Sequence, residues 1–381
     1  MSRLAPSFEA VRPLAATVDL GRVKHNVRYL AGLTPPGCRF MAVVKANAYG
    51  HGDTRVAAAA LDAGAHGLGV ALVEEGAGLR QASFDCPIYL LFEPPPRGAA
   101  AAVELGLVCS VYSEPYARAL SEACASQGRT VSVHLKIDSG MHRVGVPAAR
   151  AGEFAGTLAS LPGLELEGVY THFAVATEPD DPFTAGQIET FERASAEVEA
   201  AVGHPVVKHA ANSAGVMAFP RSHYDMVRVG IAMLGLPPSD AFAGVTELRP
   251  ALTLAGEVAF VKQIAAGEGV SYGLTYAPER ETWIATLPVG YADGLSRLLS
   301  NKAQVIIGGR RRPIVGTICM DLCLADLGPE PVEPGTRFTI IGEEGDERIR
   351  AEDVARQMGT INYEVACMIS SRVPRLFIDE A

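Results

Sequence analysis

Lys45 stands directly after the apolar run Met41-Ala-Val-Val44, and Tyr49 follows four residues later in a turn of small residues, Ala46 to Gly52. An ammonium does not belong in the interior of a packed strand. At a strand's carboxyl end it can point into a site, where partial desolvation lowers its pKa and makes the amine a nucleophile or a base. Such a lysine suits Schiff-base chemistry. A lone lysine past a strand end is more often simply solvated. Tyr49 and other polar strand ends downstream tilt the reading toward a site.

Lys136 and Asp138 close the run Val131–Ile137, ahead of the loop Ser139-Gly-Met-His-Arg143. His172 follows Leu166–Thr171. His209, Asn212 and Ser213 come at the end of Val206–Ala210, and Arg228 and Gly230 at the end of Met226–Val229. His, Asn, Ser and Arg in such positions fix ligands. Each also has a plain reading: His172 as a satisfied core histidine, Arg143 as surface charge, Asn212-Ser213 as a helix N-cap. That last reading is compatible with function, because a helix N-terminus binds phosphate. Arg228 inside an apolar run is harder to set aside, since a guanidinium keeps its proton and needs a fixed partner when buried. Alternation would put Lys136 on an outer strand face, but a barrel strand has no solvent-facing side. Spacing leaves both open.

These residues need strands to carry them. Eight short apolar runs occupy the first part of the chain: the four that these residues close, Met41–Val44, and His66–Ala71, Ile88–Phe92 and Val108–Tyr112. Helix-like segments separate them, among them Thr54–Ala63, Glu114–Ser126 and Gln187–Val202. Strands interleaved with helices imply a parallel sheet, and eight such units predict an N-terminal (β/α)8 TIM-type barrel over residues 12–240. An open doubly wound sheet is the runner-up, disfavoured because no G-x-G-x-x-G turn follows a strand. Past Leu236, Pro237, Pro238 and Pro250 punctuate a linker. Short β-type runs then predict a mostly β C-terminal domain over 241–381, with residues 1–11 associated with it and one helix, Ala351–Met358. This part holds Tyr272 within Val-Ser-Tyr-Gly, Tyr291 within Pro-Val-Gly-Tyr-Ala-Asp-Gly, and the pair Met320-Asp321. Singly, each is turn chemistry or packing.

Length and composition set the frame. The chain has 381 residues, 48% hydrophobic and 20% charged, an ordinary globular profile sufficient for about two domains of ~150 residues. A net charge of −10 argues against non-specific nucleic-acid binding and against a role at an anionic membrane. No apolar run approaches the ~18 residues of a membrane span, and Met1–Ala16 does not read as a signal peptide. Seven scattered cysteines, with only Cys319 and Cys323 close together, predict neither a metal site nor a disulfide framework. Reduced thiols and a cytoplasmic protein are expected.

Taken together, the motifs resemble alanine racemase, a pyridoxal 5′-phosphate enzyme family with a barrel followed by a β-domain. The likeness runs from about Ala16 to about Phe377. It rests on Ala42-Val-Val-Lys-Ala-Asn-Ala-Tyr-Gly-His51, Lys136-Ile-Asp-Ser-Gly-Met-His-Arg143, Thr171-His-Phe-Ala174, His209-Ala-Ala-Asn-Ser213, Asp225-Met-Val-Arg228, Val270-Ser-Tyr-Gly273, Pro288-Val-Gly-Tyr-Ala-Asp-Gly294, Met320-Asp321 and Ile361-Asn-Tyr-Glu364. The set in this order is highly specific, whereas the lysine motif alone indicates only the wider class of barrel-type pyridoxal enzymes.

The resemblance implies racemisation of L- and D-alanine by two bases, Lys45 for the D face and Tyr272 for the L face, supplying D-alanine for peptidoglycan. It implies that Lys45 carries the cofactor and that Arg228 meets its pyridine nitrogen, with His209 behind. Tyr49, Asn212, Ser213, Tyr363 and backbone amides near Gly230 and Ile231 would hold the phosphate end, and His172 would assist the tyrosine, whose unperturbed pKa is about 10. Arg143 and Met320 would bind the substrate carboxylate and the cofactor phenolate, with Tyr291 in support. Lys136 would be an N-carboxylysine positioning Arg143. Tyr272, Met320 and Asp321 would reach the partner's site, so a homodimer with shared active sites is implied. The chain departs from the common pattern at Ser139, His142, Val229 and Leu234. A broader amino-acid racemase, for example acting on serine, a decarboxylase and a non-catalytic pyridoxal phosphate carrier are the alternatives. Decarboxylases of this class set an acid against the pyridine nitrogen, and the carriers are single barrels.

Overall fold

The computed structural model describes residues 11–244 and 247–379. They divide into two compact units: Gly21–Arg249, and Pro250 onward together with the segment ending at Leu20.

In the first unit eight parallel strands succeed one another: Arg39–Val43, Gly67–Val70, Ile88–Leu90, Val108–Val111, Val131–Asp138, Leu164–Tyr170, Val207–His209 and Met226–Val229. The last returns to pair with the first, Arg228 opposite Met41. The seventh and eighth are joined by the Asp225 amide donating to the Lys208 carbonyl at 3.1 Å and the Arg228 amide to the Ala211 carbonyl at 2.9 Å, so the barrel is nearly closed. Gly67–Val70 and Met226–Val229 are buried at every residue, which is why these strands read as apolar runs and not as alternations. Helices run between the strands. Glu114–Gln127 shows how local sequence bounds them: the Ser113 hydroxyl caps the first turn and Gly128, at φ 63°, ends the last.

The second unit is a largely antiparallel sheet. Its central strands, Gln304–Ile307, Arg337–Glu344, Leu252–Glu257 and Leu14–Asp19, lie side by side, with Arg375–Ile378 at one edge. The helices Ala351–Met358 and Asn362–Met368 follow the last antiparallel strands. One boundary differs from the sequence reading. Leu14–Asp19, counted there within the barrel, pairs antiparallel with the β-domain, Leu14 opposite Gly256 through Val18 opposite Leu252. Its burial alternates over the first four residues, as a strand with one covered face requires. Residues 241–244 and 247–249 stay with the barrel unit. Of the N-terminal segment 1–11, residues 1–10 lie outside the described residues.

Candidate active site

The chain leaves the first barrel strand through a turn of the wrong hand. Ala46, Asn47, Ala48 and Tyr49 all have φ between 49° and 55°. The left-handed conformation costs roughly 1–2 kcal/mol per L-residue, so something must hold it. The Glu75 carboxylate accepts from the Ala46 amide at 2.7 Å and from the Ala71 and Leu72 amides at 2.8 and 3.1 Å. The Ala48 amide donates to the Val44 carbonyl, and Asn47 accepts from the Asp53 amide. Glu75→Ala is therefore expected to cost about 2 kcal/mol of stability, read as a lowered midpoint in urea unfolding, and to loosen Lys45 at the same time.

The turn ends with Tyr49 against the last barrel strand. A Cβ built on Gly230 would lie 2.4 Å from the Tyr49 hydroxyl, so only glycine leaves room for it. The Ser213 hydroxyl accepts from the Gly230 and Ala232 amides at 3.2 and 3.3 Å. The Asn212 side chain caps the following helical turn through the Gly215 amide. Ile231 begins the short 3-10 turn Ile231–Leu234. Tyr49, Ser213 and the backbone from Gly230 thus form one polar pocket edge at the ends of the seventh and eighth strands, where barrels bind phosphate.

Arg228 is buried, 4% exposed. Its guanidinium donates to the carbonyls of Thr171, His209 and Ala210 at 2.7–3.0 Å, to His209 Nδ1 at 3.1 Å and to His172 Nδ1 at 3.2 Å. None of these five acceptors carries charge, and burial lowers its pKa to about 10. His172 and His209 are held well below the ordinary imidazole range by burial and by nearby positive charge, so both are neutral. Accepting from Arg228 at Nδ1 leaves the His172 proton on Nε2.

Lys136 is buried as well, 4% exposed, and the groups it meets, Phe92, Tyr170, Arg228 and Lys45, place it in the barrel interior. Its Nζ lies 4.6 Å from the Phe92 ring centre and 5.1 Å from that of Tyr170. Arg143 and Lys45 stand over the same Phe92 ring at 5.4 and 5.7 Å. Three cations share one aromatic ring. Burial, then Arg228, Arg143 and Lys45, lowers the Lys136 pKa to about 7. Asp138, two residues on, accepts from the Gly140 and His142 amides of its own loop, each at 3.0 Å. His142 has φ 54° and pairs its ring with the same carboxylate at 3.2 Å. This concentration of positive charge suits a ligand with several negative groups.

The β-domain carries a second cluster. Tyr272 is 73% exposed, in a tight turn following Ser271 at φ 64°. The Ser271 hydroxyl donates to the Thr317 carbonyl at 2.6 Å and the Thr317 hydroxyl to the Tyr272 carbonyl at 2.8 Å. The strand Arg310–Val315 stops short of these residues, and the chain then turns to make these contacts. The amides of Tyr291 and Ala292 donate to the carbonyls of Cys319 and Met320, each at 3.0 Å. Met320 is exposed, and Asp321 pairs with Arg372 at 2.7 Å. Tyr363 lies in Asn362–Met368, its phenol pushed up to about 12 by burial.

The barrel thus gathers Lys45, Tyr49, Lys136, Arg143, His172, His209, Asn212, Ser213, Arg228, Gly230 and Ile231, while Tyr272, Tyr291, Met320 and Asp321 form a group within the β-domain. Sequence reasoning missed Phe92, Glu75 and His134. His134 carried a signal, standing two residues from Lys136 on the same strand face. Phe92 and Glu75 carried none. Among the described residues no helix is long and apolar enough to cross a membrane, no three His, Cys, Asp or Glu side chains are grouped to hold a metal, and all seven cysteines are free thiols.

Comparison with known proteins follows the same division. The alanine racemase N-terminal domain family matches residues 18–238 and the alanine racemase C-terminal domain family residues 251–377. An alanine racemase of Symbiobacterium thermophilum is 47% identical over 371 residues, covering 97% of this chain and 98% of that protein. The crystal structure of alanine racemase from D-cycloserine-producing Streptomyces lavendulae superposes with a TM-score of 0.93 at 37% identity, over 98% of this chain and 99% of that one. The Bacillus anthracis alanine racemase with bound L-Ala-P gives 0.92 at 40% identity, over 98% and 96%.

Proposed function

The chain belongs to the alanine racemase family and is an amino-acid racemase acting on alanine; we propose that it works with pyridoxal 5′-phosphate and that Lys45 and Tyr272 are its two bases. The observation that carries this reading is the cationic basin: Lys45, Lys136 and Arg143 over one ring, beside a buried Arg228 whose acceptors are all neutral. A cofactor bearing a phosphate and a phenolate, joined by a substrate carboxylate, supplies the missing negative charge. The donor set fits it. Tyr49, Ser213 and the amides of Gly230 and Ile231 would hold the phosphate with Tyr363, Asn212 shapes the helical turn behind them, and Lys45 would hold the aldehyde carbon. Arg143 and Met320 would bind the carboxylate and the phenolate.

When bound, the cofactor withdraws electrons from the substrate and acidifies its α-C–H. The chain moves the proton. Lys45 takes or returns it on the D face and Tyr272 on the L face. A phenol must lose its proton to act as a base, and a hydrogen-bond donor favours that charged form. His172, neutral with its proton on Nε2, is such a donor. Arg228, a fixed cation, would face the pyridine nitrogen and keep it unprotonated, which would moderate the electron withdrawal that the cofactor supplies. A decarboxylase would require an acid at this position. Lys136, with a pKa near 7, is an amine reactive toward carbon dioxide, and its carboxylated form would offset the crowded positive charge beside Arg143. The intact mass of the native protein, higher by one carbon dioxide, tests that.

We assign a homodimer with shared sites. Its support is the exposure of large apolar side chains in the β-domain: Tyr272, Leu274, Met320, Leu322 and Ile361 are all more than 40% exposed. Residues of the β-domain of one copy would complete the barrel site of the other, with Tyr291 bracing Met320 and Asp321 fixed by Arg372. The two copies would act in the cytoplasm, where thiols stay reduced, and supply D-alanine for peptidoglycan. Mixing subunits tests the arrangement. Lys45→Ala and Tyr272→Phe homodimers should each be inactive. Denatured together in equal amounts and refolded, they form heterodimers with one intact site, restoring about a quarter of wild-type racemisation. No recovery in demonstrated heterodimers would sink shared sites.

A further inference from the structure

We propose that Glu167, at the foot of the barrel, is a positioning residue for Arg228, acting through His134 and His209 by fixing which of their ring nitrogens carries the proton. The inference rests on the reading that Arg228 faces the cofactor ring.

Two hydrogen bonds and one close approach link the groups. Arg228 can only donate, and its Nη1 lies 3.1 Å from His209 Nδ1, which must therefore be bare. The His209 proton then sits on Nε2, 2.7 Å from His134 Nδ1, which accepts it. The His134 proton is left on Nε2. That atom is buried without a hydrogen-bond partner, and the Glu167 carboxylate faces it, Oε2 3.7 Å away. A carboxylate can only accept. The series begins in an obligate donor and ends in an obligate acceptor, and both ends demand the same tautomer of each histidine.

Packing denies the rings another arrangement. Tyr170 stacks on His209 with centroids 4.8 Å apart and planes 5° from parallel. Tyr89 meets His134 edge-on at 5.4 Å. Gly168 lies under His134 so closely that a Cβ there would be 2.7 Å from Cε1. Burial keeps both imidazoles neutral, so each holds a single proton whose place matters.

The far end of the series is in solvent. Glu167 lines an open cavity of about 690 Å³ with Ser132, Leu164, Glu165, His204 and Val207, at the amino ends of three barrel strands and opposite the face that carries Lys136 and His172. Arg39 of the first strand faces the carboxylate at 3.9 Å, with His66, Tyr89 and Ser132 also within its field. Its interaction with His134, helped by Ser132 and Arg39, holds the Glu167 carboxyl below the usual range against the opposing effect of burial, so it is an acceptor throughout the neutral range.

The test compares holoenzyme carrying Glu167→Gln and Glu167→Lys. Long-range proton–nitrogen NMR of labelled histidines reads the tautomers directly, with or without turnover. The native protein should show His134 and His209 neutral and protonated at Nε2. Gln offers a carbonyl to the same N–H, so E167Q should keep both tautomers and a kcat within about twofold. Lys sets a donor against a donor. In E167K the His134 proton should move to Nδ1, His209 should lose its bond to Arg228 or to His134, and kcat should fall roughly tenfold with a smaller change in KM. Should E167K fold poorly, Glu167→Met, with neither donor nor acceptor, should give mixed tautomers. Native tautomers in E167K or in folded E167M would overturn the proposal, as would an E167Q as slow as E167K. Tautomers that shift while kcat holds would overturn the role of Arg228 at the reacting ring instead.

Discussion

Lys45→Ala is expected to lower racemisation of alanine by about 10⁴-fold or more, because on the proposed assignment one substitution removes both the cofactor's anchor and the base for one face of the substrate. Purified wild-type protein should carry a visible absorbance band from the lysine-bound aldehyde, and the variant should lack it. The site explains why no neighbour substitutes. Lys136 is buried over Phe92 and Tyr170, and Arg143 and Arg228 do not form such adducts near neutral pH. A Lys45→Ala protein that keeps both the band and the activity removes the assignment.

Tyr272→Phe is expected to separate the two faces. The variant keeps Lys45, so it should still exchange the α-proton of D-alanine with deuterated water, retaining configuration. Exchange into L-alanine and net racemisation should fall by about 10³-fold, the scale of losing one positioned acid–base group. The visible band should be unchanged, since Tyr272 lies in the β-domain turn and not in the cofactor-holding set. Proton NMR of each enantiomer against time reads both rates. Equal loss of exchange from the two enantiomers would show that a single base serves both faces and that the phenol has another task.

Most of the barrel was legible because its strands are covered on both faces. Met226–Val229 is apolar in sequence because it is buried at every position, and Arg228 stood out as the one charge inside it. The edges of the sheets were not legible. Leu14–Asp19 is short, half of it faces outward, and its partners lie at Leu252–Glu257 and Arg375–Ile378, at the other end of the chain. Lys136 shows the same limit at the site. Its own strand allowed two orientations, and what decides between them is the pairing of neighbouring strands around it. Phe92 gathers three cations that come from the first strand, the fifth strand and the loop beyond it, a convergence that no local pattern encodes. The tyrosine of the β-domain was found only through the motif that frames it. Its exposed turn follows no periodicity.

The coil from Ala46 to Tyr49 has one further meaning. Its backbone is the mirror image of an ordinary helical turn, so the side chains of its two alanines sit where the natural enantiomer is crowded. Glycine would relieve the crowding by giving up stiffness. A D-residue at Ala46 or Ala48 would be at rest there, and Glu75 would have less to restrain. The loop that follows Lys45 is one in which a D-residue would be the relaxed choice.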